Sequence, residues 1–483
     1  MRSTAQGGMG RRRGAALAAG LVGGLMIVAG HAARELSIVS ITREGTELRI
    51  TWDGGVPPYQ IETRAALADG TWQPVGDPTS EITAAVPAAA MNAFYRVTGQ
   101  GAQAFAGADS CETCHSGTHT TWQETRHAHA LATLQAIGQG ANGRCIGCHT
   151  VGFGQPGGYV DQATTPHLAG VQCENCHGGA AEHAASPSAT ALRPEVDLSG
   201  ELCGSCHTGA HHATYDEWEL SRHSQALATL VEGGHAQSRC LPCHSQDYRY
   251  AVAEGEPPPT PMTARLSIEC ATCHAAHGGA PHEAQLRKSV GEVCGECHTQ
   301  GEAPLGREPH HPQFEMLKGE GAYQADGSEL TRIHVHSLLA AQEGQACAQC
   351  HVVRHDVEAP NEGNPNVTGH TFNPFDGSIT AHQAAPYTGC LMCHTADQAH
   401  ALRTAQQERI EERLAALAPH FDPASPSYID PDLLSQLNKD RLSVASFNYH
   451  FVDADGSRGV HNPALAGQSL NVAETIITEL VDR

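Results

Sequence analysis

Between residues 36 and 99, apolar and polar residues alternate with a period of two, which is the pattern of a half-buried strand. The segments LSIVSI, LRITW and YQIETRA begin at Leu36, Leu48 and Tyr59, and FYRV follows at Phe94–Val97. Glycine and proline residues separate these segments, as they do between the strands of small β-domains. The pattern predicts four short strands and a small β-sandwich over residues 36–99.

This predicted sandwich resembles the immunoglobulin and fibronectin type III modules that are fused to bacterial surface proteins, although about 60 residues is short for either class. Two roles are open for it. It is either a stabilising spacer or a docking and adhesion module. We favour the spacer, because no exposed binding motif stands out in the segment.

Two ten-residue segments nearly repeat each other, TRHAHALATL at residues 125–134 and SRHSQALATL at residues 221–230. A repeat at a fixed offset, here 96 positions, indicates a repeated structural unit. The apolar spacing in HALATL predicts a helix. A third segment, PHHPQFEML, holds a similar place, so His127, His223 and His311 are expected to be equivalent.

The tail over residues 401–483 predicts two helices. Residues 402–418 place four apolar residues on one side of a helix: Leu402, Ile410, Leu414 and Leu417. In GVHNPALAGQSL, Asn462 is a predicted N-cap and Pro463 a predicted first-turn residue of the second helix. His461 would stand just ahead of that helix, in a rigid position.

Residues 1–33 have the layout of a signal peptide. A basic cluster at Arg11–Arg13 precedes an apolar stretch over residues 15–29, and small residues follow. The apolar stretch is short for a membrane span, so membrane contact is expected only if this segment stays uncleaved. Export to the periplasm or the outer cell surface follows.

All 18 cysteines lie in Cys-x-x-Cys-His motifs, of which there are nine. This motif attaches c-type haem: two thiols add to the haem vinyl groups, and the adjacent histidine ligates the iron. Disulfides or zinc ribbons are the alternatives, but neither requires a histidine after every second cysteine. The motifs therefore predict nine covalently attached haem c groups, which contain iron.

The predicted thioether cysteines are Cys111, Cys114, Cys145, Cys148, Cys173, Cys176, Cys203, Cys206, Cys240, Cys243, Cys270, Cys273, Cys294, Cys297, Cys347, Cys350, Cys390 and Cys393. The predicted proximal iron ligands are His115, His149, His177, His207, His244, His274, His298, His351 and His394. From Asp109 onward the motifs form three sets of three. The opening cysteines of the sets, Cys111, Cys203 and Cys294, are spaced by 92 and 91 residues, which predicts a tandem triplication.

The composition agrees with a chain built around haems. Aromatic residues are only 5% of the chain, which is few for an ordinary core, so the haems are expected to supply apolar mass. The predicted fold class is mainly α with little regular secondary structure, packed around the haems. The net charge of −23 argues against nucleic acid and favours a basic or quinol-linked redox partner. An oligomer is possible on this sequence.

The 32 histidines offer many candidates for the second axial ligand of each iron. The repeat predicts His127, His223 and His311 as distal ligands, with surface histidines as the alternative. Closeness in sequence to a motif adds five more candidates: His167, His183, His277, His370 and His400. His461, ahead of the last helix, completes the set.

Two known families resemble parts of the chain. Residues 109–215, with CETCH, TRHAHAL, CIGCHTVGFGQPGGY and CENCHGGAAEH, resemble the tetrahaem cytochrome c of ammonia-oxidising bacteria. Residues 216–400, with HPQFEML, GHTF and CLMCH, together with VHNP in the tail, resemble the five-haem core of cytochrome c nitrite reductase and hydroxylamine oxidoreductase. The resemblance implies His127 or His129, His370 and His461 as distal ligands.

Two functions follow from these observations. The first is an exported nonahaem cytochrome that carries electrons along a haem chain. The second is an oxidoreductase of hydroxylamine or nitrogen oxyanions, in which one haem keeps an open axial position. A structural surface filament is a weaker third hypothesis.

The haem on His244 is the candidate open site, because residues 245–269 contain no histidine. By resemblance it aligns with the active haem of the five-haem core. Three outcomes are open for the sixth coordination position of this iron. A remote histidine such as His211, His212 or His235 fills it, Met262 fills it, or it stays open.

Overall fold

A computed structural model describes residues 36–53, 59–64, 73–79, 81–87, 93–99, 105–155, 157–301, 305–340, 347–374 and 388–482. The predicted signal peptide lies outside these residues. Among the helices of the described part, none is long and apolar enough to cross a membrane.

The N-terminal module has six strands in two antiparallel sheets of three. The strands are β1 Ser37–Glu44, β2 Glu47–Asp53, β3 Tyr59–Arg64, β4 Gln73–Thr79, β5 Thr83–Pro87 and β6 Phe94–Gly99. Their order is β1-β2-β5 in one sheet and β4-β3-β6 in the other. All four predicted segments form strands, whereas β4 and β5 were not predicted.

One apolar cluster joins the two sheets. Ile50, Trp52 and Val86 come from one sheet, and Tyr59 and Ile61 come from the other. The rings of Trp52 and Tyr59 meet edge to face at 5.4 Å, a favourable geometry for aromatic pairs. The alternation read from the sequence is the alternation between core and solvent in β2 and β3, whereas in β1 Val39 and Ile41 are exposed.

Most of the described residues between 105 and 395 form short helices and turns. The helices are α1 Ala108–Gln123, α2 Ala130–Ala136, α3 Gly143–Ile146, α4 Cys173–His177, α5 Ala181–Ala185, α6 Gly200–Gly204, α7 Thr214–Glu219, α8 Ala226–Glu232, α9 Leu241–His244, α10 Gln246–Glu254, α11 Cys270–Cys273, α12 Val290–Gly295, α13 Gln313–Lys318, α14 Val335–Ala340 and α15 Ala348–His351. A small hairpin pairs β7 Ala322–Tyr323 with β8 Glu329–Leu330. Short 3-10 helices occur at Pro166–Leu168, Thr190–Leu192, Ser238–Cys240, Glu283–Gln285 and Thr388–Cys390.

The first two sets of motifs repeat the same buried contacts. The indole Nε1 of Trp122 donates to the carbonyl of Val171 at 3.0 Å, and that of Trp218 donates to the carbonyl of Ile268 at 2.9 Å. Each tryptophan thereby ties the start of its set to the third motif of the same set.

The residue directly before the third motif makes a second repeated contact in the first two sets. In the first set it is Gln172, whose side-chain oxygen accepts from the N–H of Ala108 at 2.6 Å. In the second set it is Glu269, whose carboxylate accepts from the N–H of Gly200 at 2.8 Å. Ala108 and Gly200 are the first residues of α1 and α6, so each contact satisfies an N–H at the start of the helix that carries the opening motif. Glu174, inside the third motif of the first set, also accepts from the N–H groups of Ala106 and Gly107, each at 2.9 Å.

The C-terminal part has an ordinary apolar core made by three long helices. They are α16 Ala396–Leu417, α17 Gln436–Asp455 and α18 Pro463–Val481, with 3-10 helices at Ala418–His420 and Pro431–Leu433 between them. Ile410, Phe451 and Leu465 are fully buried in this core. The expectation that haems supply most of the apolar mass is therefore wrong for this part of the chain.

The two predicted tail helices are present, and their details differ from the prediction. Asn462 caps α18 by accepting from the N–H of Leu465 at 2.9 Å, as its sequence context indicated. Leu402 was predicted on the buried face of α16, but its side chain is 57% exposed. Helix α17 had not been predicted at all.

A truncation in this core tests its contribution. Leu465→Ala is expected to lower the free energy of opening of α18 by about 2–5 kcal/mol, because the fully buried side chain leaves a cavity. Native-state hydrogen exchange of the α18 amides measures this. Leu433→Ala is the matched control: its side chain is 84% exposed, so a change within about 0.5 kcal/mol is expected. Equal effects of the two variants would contradict the assignment of the core.

Candidate haem centres

An iron atom between two imidazoles imposes a distance on the protein. Metal–nitrogen bonds to imidazole are about 2 Å long, so two axial histidines of one haem place their ring centroids about 6 Å apart. Pairs of histidine rings at this separation are therefore the geometric test for a haem with two histidine ligands. We number the candidate haem sites 1 to 9 in the chain order of their motifs.

Seven of the nine proximal histidines stand opposite a second histidine at 5.9–6.5 Å. Two further pairs of rings meet the same distance, His207–His212 at 6.2 Å and His298–His311 at 6.0 Å, so the distance alone does not assign His212 and His311. When each proximal histidine takes a partner of its own, the pairs at sites 2 to 8 are His149–His212, His177–His277, His207–His127, His244–His311, His274–His370, His298–His223 and His351–His461. The described residues give no such pair for His115 or His394. All 18 cysteines are free thiols rather than disulfides, so the residues present fit covalent haem.

Residues of one set complete the sites of the next set. The ring of His127, in the first set, lies 6.0 Å from that of His207, the proximal residue that opens the second set. The ring of His223, in the second set, lies 6.0 Å from that of His298, which opens the third set. The repeated histidine therefore joins consecutive sets, and His129, which is exposed, makes no corresponding contact among the described residues.

The rest of the repeated segment orients a different haem site. The Nδ1 of His149 contacts the carbonyl of Ala130 at 2.8 Å, and the Nδ1 of His244 contacts the carbonyl of Ala226 at 3.0 Å. Both carbonyls lie at the start of the predicted helix, α2 or α8. A hydrogen bond to Nδ1 fixes the ring so that Nε2 faces the metal. One short segment thus serves two haem sites.

The equivalence predicted for His311 is wrong in the structure. The N–H of Phe314 donates to the carbonyl of His298 at 2.9 Å, and the N–H of Tyr215 donates to that of His207 at 2.8 Å. His311 precedes Phe314 by three residues, as His212 precedes Tyr215. His311 therefore matches His212, and not His127 or His223.

His311 also answers which group faces His244. Its ring lies 6.2 Å from that of His244, whereas His212 faces His149 and Met262 is 80% exposed. The backbone of His311 is left-handed, with φ at 56°, a conformation that costs energy for a residue with a side chain. His311 was not among the candidates for the position opposite His244, because the repeat in the sequence had grouped it with His127 and His223.

A second histidine lies beside that position. The ring centroids of His310 and His311 are 4.0 Å apart. Coordinating atoms of His244, His310 and His311 all lie within 4.8 Å of one another. Haem site 5 therefore has two histidines within reach of the same side of the iron.

Four of the paired histidines are held in the neutral form that binds metals, whereas Asp455 raises the pKa of His461 against the effect of burial. Burial, together with neighbouring imidazoles, lowers the pKa of His207, His223, His311 and His370 to about 4. These rings are consequently neutral at pH 7, with a free nitrogen lone pair for iron.

Two buried carboxylates position distal histidines. Glu217 accepts from the N–H groups of Thr368 and His370 at 2.8 and 2.7 Å, which holds the loop that carries His370. Asp455 lies 2.6 Å from Nδ1 of His461. Neither carboxylate could be predicted from the sequence. Glu217 lies about 150 residues from His370, and Asp455 lies in the tail, which contains no haem motif.

Three of the predicted distal ligands are not assigned to a haem site. His167 and His183 form no such ring pair with a proximal histidine in the described part of the chain. His400 lies on α16, six residues after His394. These three assignments stay predictions.

Cysteines of different motifs lie next to each other. In five pairs the two thiols lie close enough to shift each other's pKa strongly: Cys111 with Cys173, Cys148 with Cys206, Cys203 with Cys270, Cys243 with Cys297, and Cys294 with Cys347. Weaker effects of charge over a longer distance relate Cys176 to Cys203, Cys273 to Cys294, and Cys350 to Cys390. These proximities order the sites as 1, 3, 4, 6, 7, 8, 9, with site 2 beside site 4 and site 5 beside site 7.

This series departs from the predicted triplication in the third set. In the first two sets the opening motif contacts the third motif, through Cys111 with Cys173 and Cys203 with Cys270. In the third set the opening motif contacts the second motif, through Cys294 with Cys347. The motif CAQCH thus stands where the first two sets have their third motif, and CLMCH extends the series beyond it.

Family models agree with this organisation. The family described as "Cytochrome c554 and c-prime" matches residues 110–178 and 202–275, which are the first and second sets. The family described as "Doubled CXXCH motif" matches residues 262–303.

Individual proteins are similar over larger parts of the chain. Cytochrome c-554 of Nitrosomonas europaea is 28% identical over 184 residues, which are 34% of this chain and 68% of that protein. The multihaem cytochrome MtrA of Shewanella baltica is 24% identical over 43% of this chain and 65% of its own length. The chain thus spans about two thirds of these two relatives.

Two solved structures share the fold. The outer cell wall cytochrome OcwA superposes with a TM-score of 0.58 at 23% identity, over 77% of this chain and 99% of that chain. The undecahaem cytochrome from the S-layer of Carboxydothermus ferrireducens gives 0.54 at 22% identity, over 78% and 70%.

Replacing His127 tests the link between the sets. His127→Ala is expected to convert one haem from low spin to high spin while its thioether attachment stays intact, because site 4 loses its distal imidazole. Electron paramagnetic resonance and the mass of the denatured protein measure both quantities. His129→Ala, two residues away and exposed, should leave the spectrum unchanged. A high-spin haem in the His129 variant alone would contradict the pairing.

Site 5 permits a test of ligand replacement. His311→Ala alone is expected to keep site 5 low-spin, because His310 lies close enough to take the vacated position. The double variant His310→Ala, His311→Ala should give a high-spin haem that binds carbon monoxide when reduced. Carbon monoxide binding by the single His311 variant, at the level of the double variant, would show that His310 does not substitute.

Proposed function

The chain is a multihaem c-type cytochrome, and we propose that it is an exported protein with nine haems that carries electrons along them. One observation carries this proposal. Cysteines of successive motifs influence each other's pKa, so the motifs lie beside one another in one series, and covalent attachment would place these thiols at the edges of neighbouring macrocycles.

The number of haems rests on the motifs. Each of the nine has two free thiols and a histidine, and seven of the nine histidines face a second imidazole. A haem with two histidine ligands exchanges electrons without binding a substrate, because both axial positions are filled. The protein thus supplies spacing and ligands, and the haems supply the redox chemistry.

The side positions of sites 2 and 5 support a conduit with two branches. The thiol of Cys148 contacts that of Cys206 at site 4, and the thiol of Cys243 contacts that of Cys297 at site 7. Each branch therefore meets the main series at the motif that opens the next set. Electrons can enter or leave the series at these positions as well as at its two ends.

The alternative function needs an open iron. An oxidoreductase of hydroxylamine or nitrogen oxyanions would bind its substrate at site 5, the haem on His244. His311 stands opposite His244, and His310 is adjacent. Two histidines within reach of one axial position favour a filled site, so we favour electron transfer over catalysis.

Location and partners follow from charge and from the relatives. Two similar structures are described as coming from an outer cell wall and from an S-layer, which supports export to the periplasm or cell surface. A net charge of −23 favours a basic redox protein or a quinol-linked complex as partner and disfavours nucleic acid. The β module, which we assign to the immunoglobulin or fibronectin III class, would act as a spacer.

Mass spectrometry tests the haem count. The mass of the denatured mature chain should exceed that of the polypeptide by nine haems, since thioether bonds survive denaturation. Cys145→Ala together with Cys148→Ala should remove one haem and keep the other eight. A smaller count for the unchanged protein, produced in a host with active haem attachment, would refute the proposed number.

Reactivity distinguishes the two functions. If electron transfer is the function, a chemical reductant should reduce all haems rapidly, and an oxidised acceptor of positive charge should reoxidise them all. Hydroxylamine, nitrite and carbon monoxide should cause no change in the spectrum of the reduced protein. Turnover of hydroxylamine or nitrite by the unchanged protein would support the enzyme instead.

A further inference from the structure

A buried carboxylate at the end of α17 contacts the distal ligand of site 8. The side chain of Asp455 is fully buried, and its Oδ1 lies 2.6 Å from Nδ1 of His461. The ring of His461 in turn lies 6.1 Å from that of His351. Asp455, His461 and the iron of site 8 would therefore form one hydrogen-bonded series.

The other paired histidines have neutral partners at Nδ1. His149, His177, His244, His274, His351 and His370 contact backbone carbonyls. His298 lies 3.4 Å from the side-chain oxygen of Gln313. Among the paired histidines in the described part of the chain, only His461 has a carboxylate at this position. A hydrogen bond to a charged acceptor is roughly twice as strong as one to a neutral acceptor.

The place of Asp455 makes its negative charge costly. It is the last residue of α17, where the helix dipole is already negative. Ser457 donates to its other oxygen through both its hydroxyl and its N–H. The nearby Arg458 pairs with Asp453 and Glu411 instead. The positive charge that remains for Asp455 is the imidazole of His461 and the ferric haem beyond it.

We propose that Asp455 is a positioning residue that gives site 8 a lower reduction potential than the same haem would have with a neutral partner at His461. Pulling the Nδ1 proton toward the carboxylate makes the imidazole a stronger electron donor. A stronger donor and a nearby negative charge both stabilise Fe(III) relative to Fe(II). The step is the uptake of one electron from a neighbouring haem by Fe(III), and the proton stays between Asp455 and His461.

This inference rests on the proposed function, in that site 8 holds a haem within the series. Site 8 contacts site 7 through Cys294 and Cys347, and site 9 through Cys350 and Cys390. A haem of low potential between these two would be an uphill step in the series. Asp455 would thus control how readily electrons pass between the main series and its end at site 9.

The test is a redox titration of the full holoprotein carrying Asp455→Asn. Asparagine keeps the size and a hydrogen-bond acceptor but removes the charge. We expect the midpoint potential of one haem to rise by about 59 mV or more, a tenfold change in the equilibrium constant of a one-electron couple. The g-values of one low-spin haem should change as well, which a purely structural role would not produce.

Asp453→Asn is the matched control. It removes the same charge two residues away on the same helix, where the carboxylate contacts Arg458 rather than His461. Its titration curve should match that of the unchanged protein. Equal shifts of the midpoint potential in the two variants would mean that any lost negative charge has this effect, which would contradict a specific role of Asp455. The absence of any shift in Asp455→Asn would overturn the proposal.

A second variant tests the proposal even if Asp455→Asn fails to fold or to attach its haems. Ser457→Ala removes a hydrogen-bond donor from the carboxylate, which leaves more negative charge to act on His461. The same midpoint potential should then fall rather than rise, and an unchanged potential would overturn the proposal. Haem mass is measured on every variant, so a failure of the nine-haem assignment is distinguished from a failure of the role of Asp455.

Discussion

A haem with two histidine ligands needs two imidazole rings about 6 Å apart, and the rest of the structure depends on this requirement. The motif supplies only one of the two. The second comes from elsewhere in the chain: His127 faces the proximal histidine of site 4, and His223 faces that of site 7. With haems bound in this way, the sets could not separate without breaking iron ligation. Short helices and turns are sufficient in this region, since the ligands and the haems do the cross-linking that long elements do in other folds.

The C-terminal helices solve a different problem. They bury an ordinary apolar core around Ile410, Phe451 and Leu465. That core holds the end of α17 and the start of α18 in fixed positions, and between them the chain presents His461 to site 8. A rigid support makes it possible to keep the charge of Asp455 buried beside the ring. The part of the chain without haem motifs thus contributes a ligand and its charged partner.

Electron transfer along a series of haems agrees with the relatives of this chain and with the contacts between its motifs. The family described as "Cytochrome c554 and c-prime" matches the first two sets, which are also the two that repeat the tryptophan contact and the contact of the residue before the third motif. The third set differs because CAQCH stands where the third motif is expected. Divergence there coincides with the docking of the C-terminal helices, whose His461 takes the distal position at site 8.

The sequence by itself determined the features whose chemistry is local. Haem attachment needs five consecutive residues, the cap of α18 needs Asn462 and its neighbours, and strand alternation needs a few residues in a row. The second axial ligands were harder to predict from the sequence, because a distal histidine and the motif that binds the same haem are close in space but far apart along the chain. Alignment placed His311 with His127, and the fold placed it opposite His244. His212 was a candidate from the sequence for the site of His244, and the fold places it opposite His149. His310, Glu217 and Asp455 were not predicted, since each acts on a partner that only folding brings close.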